Sequence, residues 1–171
     1  MRRLLDEYDG ILLDAYGVLV DVSGALPGAR ELVTLMNETK KPYAICSNDA
    51  SRLPETYATR FRSAGLEIPA ERITSAGQLL DTYFAEHALA GARVAVLGTA
   101  DSVAFVTAAG GVAVPLRDGM EIDVLAVCDD DGFDFKEGLD VAISAVARAV
   151  AADKPIWLVL PNPDLLYPKS A

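Results

Sequence analysis

One histidine and two cysteines are all that the 171 residues offer of the side chains that most often bind transition metals. A histidine-dependent triad has little to draw on. Cys46 and Cys128 stand far apart, lack a CxxC partner and each end an apolar run, so they read as small buried hydrophobes rather than a disulfide or zinc site. Positive charge is scarce as well. Fifteen Lys and Arg against 25 Asp and Glu leave a net charge of −10 and a pI near 4.5, which disfavours nucleic acid or an anionic membrane as partner because phosphates are repelled. Long apolar runs are missing too. Although 51% of the residues are hydrophobic and the mean hydropathy is +0.25, the stretches near Ile11, Val94, Leu125 and Leu158 are short and interrupted, and no transmembrane span is expected. The start, MRRLLDEYDG, carries two arginines, but acids break its apolar run at once, which is wrong for a secretory signal. The expected compartment is the cytoplasm.

What the chain does have is apolar runs alternating with helical patterns, the signature of βα units building a parallel sheet. The predicted class is α/β. Strands are expected at residues 10–13 and 43–46, joined by a helix that opens at Pro27-Gly28 and carries Leu32, Val33, Leu35 and Met36. A helix over 54–64 stops at Gly65, and residues 67–74 supply a connection with a short third strand. From Ser75 a fresh series begins: helix through Leu79 and Phe84, strand at 94–97, helix at 101–109, a short strand near Val112, a strand at Val124–Val127, a helix over Phe135–Ala151 and a last strand at 156–160. Two modules are therefore expected, 1–75 and 76–171. The first has too few strands for a complete doubly wound sheet. An apolar face around Leu12, Ile45 and the helix from Leu32 to Met36 should be poorly covered, with self-association or instability as the consequence.

Chemistry concentrates at two strand ends. In Gly10-Ile-Leu-Leu-Asp-Ala-Tyr-Gly-Val-Leu19 an apolar strand delivers Asp14 to its C-terminal end, where ligands bind in open α/β sheets, and Gly17 permits a tight turn. Taken alone, Asp14 reads more simply as the cap of a turn. Ala44-Ile-Cys-Ser-Asn48 is a second such strand, and a right-handed crossover would set it beside the first, bringing Asp14 and Ser47 to one rim. A carboxylate flanked by a hydroxyl and exposed backbone N–H groups is what phosphoryl transfer through an aspartyl-phosphate requires.

These two stretches resemble the first two motifs of the haloacid dehalogenase-like superfamily: an apolar strand followed by Asp-x-Asp-Gly-(Thr/Val), then an apolar strand ending in Ser or Thr. Asp14 and Ser47 are too close in sequence for a cap to lie between them. The chain is instead similar to the branch whose cap follows the second motif, that of para-nitrophenyl phosphatase-like, phosphoglycolate and pyridoxal phosphate phosphatases. Leu26-Pro27-Gly28-Ala29 resembles the start of that branch's first helix, Ser47-Asn48-Asp49-Ala50-Ser51-Arg52 its phosphate loop, and Ile73-Thr74-Ser75-Ala76 its hinge into the cap. Val94 to Gly98, Val124 to Phe135 and Pro161-Asn162-Pro163-Asp164 resemble successive cap strands and loops.

The resemblance implies a partial Rossmann-like core (1–75) followed by an α/β cap (76–171), and hydrolysis of a phosphate monoester of a small metabolite. Asp14 would be the nucleophile and a Mg²⁺ ligand, the backbone carbonyl of Tyr16 a second ligand, and Ser47 with the Asn48 amide the phosphate clamp. Asn162 and Asp164 would lie on a cap loop facing the substrate. Two departures stand out. The family's phosphatases carry a second Asp, the general acid and base, where this sequence has Tyr16. The third-motif Lys and fourth-motif acids, which would follow the cap, are not found among the 171 residues, and the expectation is little phosphatase turnover from them alone. A non-catalytic binding module, favoured by these departures, and hydrolysis at a carbon–halogen bond, favoured by Tyr16, are the competing readings.

Other candidates read more simply. Lys154-Pro155 falls within the cap and suits a solvated loop, and Cys128-Asp-Asp-Asp-Gly132 suits a solvent-facing acidic turn more than a cation site. Gly98-Thr-Ala-Asp101 opens a helix but falls short of a nucleotide fingerprint, with Asp101 the expected N-cap. His87 suits a helix C-terminus or the surface, and Tyr83 and Trp157 suit packing.

Overall fold

The computed structural model of the protein describes residues 2–164. The chain divides into two compact units. One holds the residues up to Ser47 together with Pro54–Ser75, and the other holds Asn48–Leu53 together with Ala76–Pro163. Both are α/β with parallel sheets, as the alternation of strand and helix patterns requires. Among the described residues no helix is long and apolar enough to cross a membrane.

The first unit runs α1 (Arg2–Glu7), β1 (Ile11–Leu13), β2 (Val20–Asp21), β3 (Gly24–Ala25), α2 (Ala29–Glu38), β4 (Tyr43–Ser47), α3 (Pro54–Ser63) and β5 (Ile73–Ser75). Its main sheet has the order β1-β4-β5, all parallel, with Leu12 opposite Ala44 and Cys46 opposite Thr74. Strand side chains alternate between faces, and here one face is buried. Tyr43, Ile45 and Ile73 join Val33 and Met36 of α2 and Tyr57 and Phe61 of α3 in a single core. On the other face Leu12 is 75% exposed, and Cys46 and Thr74 are exposed.

Two expectations need correction. Cys46 is not buried, because it is the next residue after Ile45 in the strand and so turns to the opposite face. The uncovered apolar face is narrower than expected: Leu12 is open, but Ile45, Val33 and Met36 are closed, since α2 and α3 both pack on that side. The short α1 and the β2–β3 hairpin had no counterpart in the sequence reading. The hairpin has two residues per strand, too few for a period, and its turn is held by the Asp21 carboxylate, which accepts from the Ser23 N–H at 2.7 Å and the Ser23 hydroxyl at 2.6 Å. These bonds hold the Asp21 carboxyl below its ordinary range.

The second unit contains α4 (Leu79–Glu86), β6 (Arg93–Leu97), α5 (Ala100–Ala108), β7 (Val112–Val114), β8 (Val124–Val127), α6 (Phe135–Ala151) and β9 (Trp157–Val159), with a parallel sheet ordered β7-β6-β8-β9. Its central strands, β6 and β8, are buried on both faces, whereas Val112 of β7 and Trp157 and Leu158 of β9 are exposed at the edges. Val94, Val96, Val124 and Ala126 pack with Leu80, Phe84, Phe105 and Val106 of α4 and α5, whereas Ala95, Leu97 and Leu125 pack with Ala142 and Ala145 of α6. Near-continuous apolar runs such as Val94-Ala-Val-Leu97 follow from that double burial. At the start of β6, Arg93 donates to both carboxylate oxygens of Asp123 and to Glu121, which holds both carboxyls below their ordinary ranges. His87 follows α4 at the surface, its ring 4.3 Å from Tyr83 and 4.9 Å from Trp157, so the three aromatic positions pack on one another.

Candidate active site

Asp14 follows the last residue of β1 and is exposed. One of its carboxylate oxygens accepts from the Ala15 N–H at 2.7 Å. The chain then doubles back: the Gly17 N–H donates to the Val20 carbonyl at 2.8 Å, and the Leu19 and Val20 N–H groups donate to the Ala15 carbonyl at 3.0 and 3.1 Å. The turn needs Gly17 in the left-handed region, at φ +84°, where a side chain would strain the backbone. Tyr16 is half-buried inside this turn and bridges to Val20.

Ser47 closes β4, the strand hydrogen-bonded to β1, with Leu13 opposite Ile45. Because the two strands are parallel neighbours, Asp14 and Ser47 emerge at the same rim of the first unit's sheet. The Ser47 hydroxyl lies 3.1 Å from the Tyr57 hydroxyl of α3. The rim thus presents a carboxylate at one strand end and a hydroxyl at the next, in the crevice region where open α/β sheets bind ligands.

The other expected site residues fall in the second unit or at the end of the described residues. Asn48 is exposed, and its amide N–H donates to the Asn162 side-chain carbonyl at 3.4 Å, so these two are brought together. Asp164 is exposed and is the last described residue. Lys154 is exposed, as a loop lysine should be. The acidic loop folds on itself, with Asp129 accepting from the Asp131 N–H and Asp131 from the Gly132 N–H. Among the described residues no three His, Cys, Asp or Glu side chains gather into a metal cluster.

Four side chains, Asp49, Thr99, Asp101 and Ser102, organise the segment Asn48–Leu53, a role not expected for any of them from the sequence. Asp49 accepts from the Ser51 N–H and from Arg52, the latter at 2.7 Å. Thr99 and Ser102 donate their hydroxyls to the Ser51 and Ala50 carbonyls. Asp101 accepts from the Leu53 N–H at 3.0 Å, so it is not the N-cap of α5. Thr99 is the cap, in a reciprocal box with Ser102. The Thr-x-x-Ser spacing was the available signal, and it marks a helix start without naming the distant carbonyls those hydroxyls reach.

The sequence profile of haloacid dehalogenase-like hydrolases matches residues 11–111, from the strand that carries Asp14 to the start of β7. The chain belongs to the haloacid dehalogenase-like hydrolase family. Among curated relatives of this family member is an acid sugar phosphatase of Staphylococcus saprophyticus, 23% identical over 133 residues, which are 78% of this chain and 50% of that protein. Among solved structures, a possible sugar phosphatase of the same superfamily from Cytophaga hutchinsonii superposes with a TM-score of 0.83 at 31% identity, over 99% of this chain and 60% of that one. A glycerol phosphate phosphatase from Mycobacterium tuberculosis, in complex with magnesium, superposes with a TM-score of 0.74 at 22% identity, over 98% of this chain and 47% of that one, a likeness of fold. This haloacid dehalogenase-like chain therefore spans about 47% to 60% of the length of these relatives.

Proposed function

We propose that this family member is built for phosphoryl transfer from a small phosphorylated metabolite in the cytoplasm, with Asp14 as nucleophile. One observation carries the reading: Asp14 and Ser47 end adjacent parallel strands of one sheet. The relatives, named as phosphatases of sugars and of glycerol phosphate, support the substrate class. Residues 1–75 would supply the first part of a core and 76–171 a cap, although the structure groups Asn48–Leu53 with the second unit.

In this reading an Asp14 carboxylate oxygen bonds to phosphorus as the ester oxygen leaves with its electron pair, and water later attacks the aspartyl-phosphate to release phosphate. Ser47 and the Asn48 amide donate to the phosphoryl oxygens, where negative charge accumulates. A bound magnesium ion would offset that charge. Hard oxygen donors suit it: one exposed carboxylate, Asp14, and the backbone carbonyl of Tyr16 would leave most positions to water and phosphate, which is the habit of Mg²⁺. Tyr16 stands where the family's acid–base carboxylate would be, so both protonation of the leaving group and activation of water are weakened.

The test exploits that weakness. Incubated with Mg²⁺ and acetyl phosphate, whose leaving group needs little protonation, the chain should gain one phosphoryl group, labile to hydroxylamine and slow to hydrolyse. Asp14→Asn should gain none, as read by intact-mass spectrometry. Tyr16→Asp should shorten the lifetime of the adduct by roughly 10² to 10⁴. A chain that takes up no phosphoryl group, or one that does so equally as Asp14→Asn, overturns the assignment.

A further inference from the structure

In an open parallel sheet, ligands bind outside the C-terminal ends of the strands at the point where the strand order turns back. In the second unit that point lies between β6 and β8, because the chain passes from β6 outward to β7 and then returns to the other side of β6. The crevice is filled by the chain itself. Ala50 is fully buried, in the same apolar core as Val96, Phe105 and Cys128. Its carbonyl accepts from the Ser102 hydroxyl at 2.9 Å, and the next carbonyl, of Ser51, accepts from the Thr99 hydroxyl at 2.6 Å. Ser102 is 0% and Ser51 1% exposed. Gly132 closes the crevice from the β8 side: a Cβ there would lie 2.5 Å from the Thr99 Cα and 2.7 Å from the Gly98 carbonyl oxygen. The start of α5, which could have cradled a free phosphate, is occupied by two backbone carbonyls.

We propose that this crevice is a socket for the chain's own Ala50–Ser51, and that Thr99 and Ser102 are positioning residues that fix the Asn48 side chain for phosphate. Asn48 lies two residues before Ala50, the first residue in the socket. Between them, the Asp49 carbonyl accepts from the Gly77 N–H at 3.3 Å and the Asp49 carboxylate holds Arg52. Three consecutive carbonyls are thus tied to the second unit, and the freedom lost in ordering Asn48 is met in folding rather than in binding. The ligand named here rests on the phosphoryl-transfer reading; the socket does not.

The experiment uses the chain with Thr99→Val, Thr99→Asp, Thr99→Ser and Ser102→Ala. Asp can still cap α5 as an acceptor but cannot donate to the Ser51 carbonyl, whereas Ser keeps the donor. Amide hydrogen exchange at Ser51 and Leu53 should quicken by about tenfold or more in Thr99→Val, Thr99→Asp and Ser102→Ala relative to Val96 and Ala126, and stay near wild type in Thr99→Ser. The half-saturating concentration of inorganic phosphate, with Mg²⁺, that shifts the Asn48 side-chain amide resonances should rise about tenfold in the same three variants.

Recovery of slow exchange by Thr99→Asp would reduce Thr99 to a helix cap and overturn the socket. Faster exchange with unchanged phosphate response would overturn the positioning role. Wild-type resonances that ignore phosphate would overturn phosphate as the ligand and with it the phosphoryl-transfer reading, while the exchange comparison still decides the socket. Should Ser102→Ala not fold, the three Thr99 variants decide alone.

Discussion

The two units are built from the same βα repeat and differ in what covers the sheet. The second unit's central strands, β6 and β8, are closed on both faces by helices, and even the crevice at their ends is filled, by Ala50 and Ser51. The first unit's sheet is closed on one face, leaves Leu12, Cys46 and Thr74 open on the other, and keeps Asp14 exposed at its rim. The difference separates stability from chemistry. A sheet whose central strands are packed on both sides has little strand-end surface left with which to act, whereas the sparser sheet carries Asp14 and Ser47 at its rim.

The two cysteines offer the largest contrast between the units. Cys46 lies on the open face; Cys128 is buried, and burial pushes its thiol up to about 12. At pH 8 a thiol titrating there is about one part in ten thousand thiolate, so a thiol reagent should modify Cys46 and leave Cys128 untouched until the protein unfolds. Titration of the native protein with an aromatic disulfide should give one fast equivalent, lost in Cys46→Ser. Two fast equivalents would show that the second unit is looser than its packing implies.

A smaller contrast lies within the first unit. Ile45→Ala removes a fully buried side chain from the covered face and should cost about 2–5 kcal/mol in urea unfolding. Leu12→Ser, on the neighbouring strand but the opposite face, should stay within about 0.5 kcal/mol. If Leu12→Ser costs as much as Ile45→Ala, the face carrying Leu12 is covered in solution, by self-association or otherwise, and the urea midpoint should then depend on protein concentration.

The smallest effect concerns acid. Arg93 holds the Asp123 and Glu121 carboxyls below their ordinary values of 3.8 and 4.5. Carboxyls depressed in the folded state contribute stability that is present above those ordinary values and is lost as pH falls through the lowered ones. The advantage of wild type over Arg93→Met should therefore be constant above about pH 5 and shrink toward pH 2. Urea midpoints across that range measure it. These groups are largely solvent-exposed, so the advantage is small and should diminish in high salt.

Much of this could be read from residue order. The α/β class, the helix over Phe135–Ala151 with its ends, and the strand at Val124–Val127 follow from period and length, because a strand buried on both faces must be apolar throughout and a long helix must repeat its apolar stripe. Asp14 and Ser47 could be paired because handed crossovers leave few ways to arrange two consecutive parallel strands. Tertiary structure alone decided the rest. Which face of β1 and β4 is covered depends on where α2 and α3 pack, which local period does not state, and so Cys46 is open although its strand is apolar. The association of Ala50 and Ser51 with Thr99 and Ser102 joins hydroxyls to carbonyls about fifty positions away. Backbone carbonyls are alike at every residue, so sequence carries no mark of which ones a distant hydroxyl will find; only the folded path of the chain selects them.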